Sequence, residues 1–496
     1  MSSTNESDLR RVAAAFRATM PEGALVSVFP IDHLDRTGIP VVQASLIRGS
    51  DPAITGYGYG GTPIEAEVGA LGELCEEVHA ADAVDRAEYV RGTTAELSRD
   101  RDVVDPLTLC LPAGSPYDPA TTVLDWMEGR RWPSGEPVLV PVEWVAAYND
   151  QMKRISPVLI TPITNGLGAG FDLEHAIAHG IMELLQRDGN VISYRALDQG
   201  VVVDTDGVID PDVTALMARL RADGIGVMVK LACTDFGMAN LYVVGDDSGH
   251  LNAPIQVTSC GEAVSPDRER TLRKALLEFC GSRARKAATH GPIDWLAKNM
   301  PPDYVRRQME VAELENEEPR ALAAMTEWVG QDADELRRRL SGSVFGTRRH
   351  VPFTELPTVP AATMLDSATR LRTLSDRLGA EGLGIIAVDL SPPGHDVRVV
   401  KVIVPGLEAE TMSYHRVGWR GVRRLRERGD PLILDAPKDG AKRVRLRPED
   451  EARAGGPAWF DGARADAIVG QLYPLYRETG TFSAQRMLAA NRAAAA

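Results

Sequence analysis

From about Val26 to Val404, short apolar runs alternate with stretches whose apolar positions recur at helical spacing. The two interleaved periods predict an α/β fold, with mixed β-sheets and helices packed on them. Ala24–Ile31 reads as a strand. Gly384–Leu390 and Val397–Val404 read as consecutive strands, and Pro405-Gly406 stops the second. Three helices carry a more informative pattern. The first opens at Thr62-Pro63-Ile64-Glu65, an N-cap, an N1 proline and a capping-box glutamate. Along it Val68, Leu71, Leu74, Cys75 and Val78 fall on one arc, and Gly69, Glu73, Glu76 and Glu77 on the opposite one.

The second helix starts after Asp172 and is expected to run to about Tyr194. Ile177, Ile181, Leu184 and Leu185 make its apolar arc; His179, Glu183, Gln186, Arg187 and Asn190 make the other. The third is expected to open at Ser265-Pro266, with Lys274, Glu278, Gly281, Ser282 and Arg285 opposite Leu272, Leu276 and Cys280. Each helix therefore places a glutamate at a corresponding position on its polar side.

The 496 residues suffice for roughly two to four domains. Residues 1–58 read as a strand-rich segment of the core, 59–410 as the core proper and 411–496 as a C-terminal extension. Residues 284–345, charged and helix-prone, read as an insertion. A net charge of −15 disfavours docking onto nucleic acid or anionic lipid. No apolar run approaches the ~18 residues of a membrane span. The start has neither a basic region nor an apolar segment, so no secretory signal is expected. Five scattered cysteines without a CxxC pair argue against disulfides and cysteine-ligated zinc. A cytoplasmic, reducing location is the expectation.

Glu73 and Glu76, at i and i+3, repel each other unless a counter-charge relieves them. The glycines Gly56, Gly58, Gly60 and Gly61 leave free N–H groups before a helix, which can hold an anion. Three glutamates converging from three helices can hold hard cations through oxygen, and Mg²⁺ in turn binds phosphates. An acidic solvated face is the competing reading. His175, His179 and Glu183 lie at i+4 steps, but no third imidazole or HExxH pattern supports zinc.

Six segments in order resemble the YcaO family of ATP-dependent peptide backbone-modifying proteins. They are Gly38-Ile-Pro-Val-Val42, Glu73-Leu-Cys-Glu-Glu77, Asn165-Gly-Leu-Gly-Ala-Gly170, Glu183-Leu-Leu-Gln-Arg-Asp188, Glu278-Phe-Cys-Gly-Ser-Arg283 and Val402-Ile-Val-Pro-Gly-Leu-Glu408. The resemblance spans about residues 34–408. It implies an ATP site without a P-loop, and no GxxxxGK[ST] occurs in the chain. By resemblance Glu73, Glu76, Glu183 and Gln186 hold Mg²⁺, while Gly69, Glu278, Arg187 and Arg283 lie at the nucleotide. The two arginines would be catalytic.

The implied chemistry is attack of a nucleophile on a backbone amide, then phosphorylation of the oxygen, which turns it into a leaving group. A Cys, Ser or Thr nucleophile gives an azoline; sulfide gives a thioamide. The substrate would be a precursor peptide or another protein, with a separate partner presenting it or delivering sulfur; a homodimer fits the family. Several positions depart from the family pattern. Tyr59 replaces a lysine, Glu77 an arginine, Gln186 a carboxylate, Phe171 an asparagine and Gly281 a glutamine. Arg283 points ~140° from Glu278 on an ideal helix. Pro474 is the last proline, so the Pro-x-Pro-x-Pro tail of azoline-forming members is missing. A nucleotide-binding but catalytically silent regulator or scaffold is the alternative reading.

Overall fold

The computed structural model describes residues 6–48, 53–147, 149–152, 157–311, 314–408 and 414–495. Strands β1 (Leu25–Pro30), β2 (Val41–Ile47) and β3 (Ile54–Tyr59) form a sheet in sequence order. Helix α1 (Pro63–Arg86) follows, then β4 (Val90–Thr93), β5 (Val123–Trp132) and β6 (Pro137–Pro141). β7 (Leu167–Gly170) feeds α2 (Leu173–Asn190). β8 (Val201–Asp204), β9 (Ile225–Cys233), β10 (Ala239–Asp247) and β11 (Cys260–Ser265) lead into α3 (Arg268–His290). β12 (Arg349–Pro352), β13 (Ile385–Asp389) and β14 (Arg398–Ile403) come next. Helix α4 (Trp419–Glu427) and the short strands β15 (Ile433–Leu434), β16 (Lys442–Arg443) and β17 (Trp459–Phe460) follow.

The larger sheets run β11-β10-β9-β8-β12 and β4-β5-β13-β14-β7, with β6 also on β5; β15-β17-β16 is a small fourth sheet. β8 and β12 pair in parallel, and the other strand pairs are antiparallel. The fold is thus mixed α/β, and no sheet among the described residues closes into a barrel. The two closing strands match expectation and pair with each other.

The apolar arcs are the buried ones. Leu71, Leu74, Cys75 and Val78 of α1 are fully buried, as are Leu272, Leu276 and Cys280 of α3. Each leucine buried this way contributes about 1.5–3 kcal/mol. The α1 capping box forms as the sequence predicts: Glu65 N–H donates to Thr62 Oγ1 and Thr62 N–H to Glu65 Oε2. The start of α3 differs. Ser265 ends β11, and Asp267 is the cap, its Oδ1 accepting the N–H groups of Glu269 and Arg270. A carboxylate one residue past the proline outcompetes the serine hydroxyl for these donors. The second helix ends at Asn190, before the left-handed Arg195.

One construction is used three times: a strand, a turn, and a helix laid back against a glycine of that strand. A Cβ on Gly58 would stand 2.0 Å from Ala66 O, one on Gly168 2.2 Å from Ala176 O, and one on Gly261 2.1 Å from Ala275 O. Only glycine permits that approach. β3–α1, β7–α2 and β11–α3 are therefore equivalent units, and the equivalence sets their glutamates in matching places.

The C-terminal region is fastened to the core through Asp188, immediately after Arg187. Its carboxylate accepts from Arg420 (3.1 Å) and Arg424 (2.6 Å) of α4, and it accepts Glu408 N–H at 3.0 Å. Glu408 caps α4, taking the N–H groups of Gly418 and Gly421 at 2.7 and 2.6 Å. Helices Pro319–Val329 and Ala333–Ser341 pack on the same region, where Trp328 Nε1 donates to Gln471 O.

Candidate active site

Two backbone N–H groups fix the first two glutamates. Tyr57 N–H, on β3, donates to Glu73 Oε2 at 2.6 Å, and Gly166 N–H, just before β7, donates to Glu183 Oε2 at 2.8 Å. Glu76 takes a hydrogen bond from the Ala169 backbone. All three side chains are half-buried and feel one another. Burial first, then Glu77, raises the Glu73 carboxyl, with Glu183 adding to the effect, to about 8. Burial, Glu183 and Glu73 push Glu76 well above the carboxylate range. The fold therefore holds three carboxyls together at a cost in charge repulsion.

The third unit adds Glu278, which burial raises to about 7. Tyr59 donates its hydroxyl to Glu278 Oε2 at 3.0 Å. The two departures at Tyr59 and Gly281 are one change, because a Cβ on Gly281 would lie 2.8 Å from the Tyr59 ring. The ring occupies the space that a side chain at position 281 would need. Gly69 lies one turn before Glu73, where a Cβ would stand 3.2 Å from Gly58 Cα. It lets β3 approach α1 rather than facing the carboxyls through a side chain.

Between the two carboxyl groups stands Arg187. It reaches Glu183 Oε1 at 3.5 Å and Glu262 Oε2 at 3.1 Å, and its Nε has no hydrogen-bond partner. Glu262, in the middle of β11, is the hub that helix periodicity could not reveal. Its oxygens accept from Gln186 Nε2 (2.9 Å), Asn190 Nδ2 (2.5 Å), Tyr194 OH (2.7 Å) and, at 3.5 Å, Arg195. Despite burial, Arg187 and Arg195 hold it below the usual carboxylate range. The available signal was a lone acid in a strand flanked by glycine and alanine.

Two residues expected at the ligand have protein partners in the structure. Gln186, expected on Mg²⁺, donates its amide nitrogen to Glu262. Arg283, expected at the nucleotide, is fully buried on the other side of α3. Asp35 (2.7 and 2.8 Å) and Asp247 (2.6 Å) close it off. These partners come from the segment after β1 and the end of β10, so Arg283 fastens α3 to the sheets. In its place the structure brings Arg285 within electrostatic reach of Glu73 and Tyr57. Arg285 is bound by Glu478 of the C-terminal region at 2.8 and 3.2 Å, and Lys286 and His290 share that carboxylate. His175 Nδ1 meets Arg370 at 3.2 Å, and burial lowers His179 to about 3.

Oxygen donors that repel one another and a half-buried arginine with an unspent N–H suit a phosphate chain carrying Mg²⁺. Among the described residues no three His, Cys, Asp or Glu side chains already stand in metal-binding geometry. Glutamates from successive helices, a bridging arginine and no P-loop define a class of protein able to grip nucleotide phosphates through divalent cations.

Comparison with known proteins identifies the family. The family model described as YcaO cyclodehydratase, ATP- and Mg²⁺-binding, matches residues 57–408. An uncharacterised protein of Methanothermobacter thermautotrophicus is 30% identical over 398 residues, which is 79% of this chain and 91% of that protein. The YcaO protein of Methanopyrus kandleri, solved with AMPPCP and Mg²⁺, shares the fold at a TM-score of 0.56 and 22% identity, over 83% of this chain and 93% of that one. A heterocyclase solved with substrate and cofactor gives 0.61 at 17%, over 87% of this chain and 57% of that one. The chain belongs to the YcaO family.

A carboxyl raised in the folded state keeps its proton after the unfolded chain has lost it. Stability of the ligand-free protein therefore falls as pH rises from 4.5 through about 8 at Glu73. Glu73→Gln removes that share, on the order of 1–2 kcal/mol once solvent screening is allowed for, and flattens the urea-unfolding profile across this window. Parallel profiles would contradict the placement. Gly281→Gln is expected to lose about 1–3 kcal/mol by crowding Tyr59, and adding Tyr59→Lys to recover part of it. Strict additivity of the two changes would show that the positions do not share space.

Proposed function

We propose that this protein is an ATP-dependent enzyme that activates a backbone amide in a precursor peptide or another protein. The observation that carries the reading is the convergence of Glu73, Glu76 and Glu183 beside Arg187, on a chain of the YcaO family. Glu73, Glu76 and Glu183 would hold Mg²⁺ on the phosphates. When bound, ATP supplies the phosphoryl group that makes the amide oxygen a leaving group.

The chain's own residues do the rest. Arg187 presents its unspent N–H to charge developing on the transferred group, which is where a fixed donor contributes most. Gln186, Asn190 and Tyr194 lock Glu262, and Glu262 in turn locks the Arg187 guanidinium. Glu278, raised to about 7, can take or give a proton near neutrality at the oxygen that meets Tyr59. Tyr59 with Gly281 keeps a hydrogen-bond donor on Glu278, so these departures reshape the site rather than empty it.

Amide plus ATP yields azoline, ADP and phosphate when a Cys, Ser or Thr side chain attacks. Amide, hydrogen sulfide and ATP yield thioamide, ADP and phosphate. Glu478 binds Arg285 and so brings the C-terminal region within electrostatic reach of Glu73, where it would help to shape the nucleophile's approach in either branch. A separate protein would present the peptide or deliver sulfur. Five scattered cysteines without a CxxC pair suit a reducing cytoplasm, and among the described residues no helix is long and apolar enough to cross a membrane.

Purified protein with Mg²⁺, ATP, candidate peptide and sulfide is expected to release ADP in step with peptide modification. Mass spectrometry distinguishes exchange of oxygen for sulfur from loss of water. Glu183→Gln and Glu76→Gln should each slow modification by about 10²–10³-fold. Unchanged rates in both variants would refute the reading.

A further inference from the structure

Leu184, next to Glu183 on α2, and Lys401, Val402 and Ile403 of β14 line a cavity of about 40 Å³. Trp144, Leu184 and Val402 form apolar parts of its wall, and Glu143, Lys401 and Glu408 are its ionisable residues. It has room for about three water-sized molecules and not for a length of peptide. Two of its polar groups are buried without a full set of partners. Glu143 is 2% exposed. Its Oε2 accepts the N–H groups of Leu159 and Ile160 at 2.7 and 3.1 Å, while Oε1 has no hydrogen-bond partner. Lys401, on β14 and equally buried, spends one of three donors on Ile163 O at 2.5 Å. A buried acceptor without a partner costs stability unless something fills its place.

We propose that this cavity binds hydrogen sulfide, with Lys401 and Glu143 as its polar contacts, and stores the nucleophile beside the amide-activating site. The inference rests on the thioamide branch of the function above. Hydrogen sulfide is small, weakly hydrated and neutral, so it enters an apolar cavity that a hydrated phosphate or carboxylate would not. Once inside, the S–H bond breaks and its proton moves to the Lys401 amine. This leaves hydrosulfide paired with an ammonium; atoms and charge balance, and nothing is oxidised.

Burial lowers the Lys401 amine to about 7, so the acceptor form is populated at neutral pH. Of the groups around it, Glu183 favours the ammonium product and Arg416 opposes it. Burial pushes Glu143 up to about 7 and raises Glu408, which is already engaged by the N-terminus of α4.

The probe is sodium sulfide at neutral pH, titrated anaerobically into the full chain and followed by calorimetry without nucleotide. Wild type should show saturable binding that equal chloride does not displace. Lys401→Met should weaken binding by about tenfold or more, and Glu143→Gln should weaken it while leaving Mg²⁺–ATP binding intact. If Lys401→Met no longer binds Mg²⁺–ATP, its fold is in question and Glu143→Gln decides. Glu183→Gln should lose Mg²⁺–ATP binding and keep sulfide. No binding to wild type, displacement by chloride, or equal affinity in wild type and Glu143→Gln overturns the proposal. Such a failure, with Mg²⁺–ATP binding still lost in Glu183→Gln, would leave the amide-activating function standing and point to the azoline branch.

Discussion

The rest of the site depends on carboxyl groups that the fold buries within electrostatic reach of one another. Glu73, Glu76 and Glu183 do not drift apart because their helices cannot. Each helix is pressed onto a strand glycine, with no room for even one methyl group, and backbone N–H groups of Tyr57 and Gly166 hold two of the carboxyls in place. Burial first, and then the neighbouring carboxylates, raises the proton affinity of Glu73 and Glu76. Under the proposed function these carboxyls would hold a cation, and through it phosphates.

The second layer serves this arrangement. Glu262 keeps Arg187 between the two carboxyl groups. Asp188, the next residue, is spent outside the site on Arg420 and Arg424, so one helical turn supplies both the site's arginine and the anchor of the C-terminal region. Glu478 returns from that region to occupy Arg285, Lys286 and His290. Asp188 and Glu478 are thus two of the points that bind the C-terminal region to the core, and the second lies within electrostatic reach of Glu73 through Arg285.

What was legible in the sequence is what depends on neighbours a few residues apart. Helical spacing gave the polar faces of Glu73, Glu76, Glu183 and Glu278, and the Thr62–Glu65 capping box is local chemistry. The resemblance to a family, carried by short motifs, supplied the ATP reading. Long-range pairing stayed hidden. Arg283 finds Asp35 at a separation of 248 residues, and Arg285 finds Glu478 at 193; no periodicity encodes such partners. Glu262 escaped notice because a strand residue shows its importance only through what surrounds it. Tyr59 and Gly281 looked like two losses until the ring was seen to fill the glycine's space.

The most direct test of this account is a count of protons. Binding of Mg²⁺–ATP to wild type near pH 7 should be measured by calorimetry in buffers of different ionisation enthalpy. If the cation takes over the charge that protons neutralise in the free protein, binding releases about one proton per chain, and Glu73→Gln reduces that number. Binding with no net proton release, or the same release from Glu73→Gln, would contradict the claim that repelling carboxyls are what the nucleotide's metal ion satisfies.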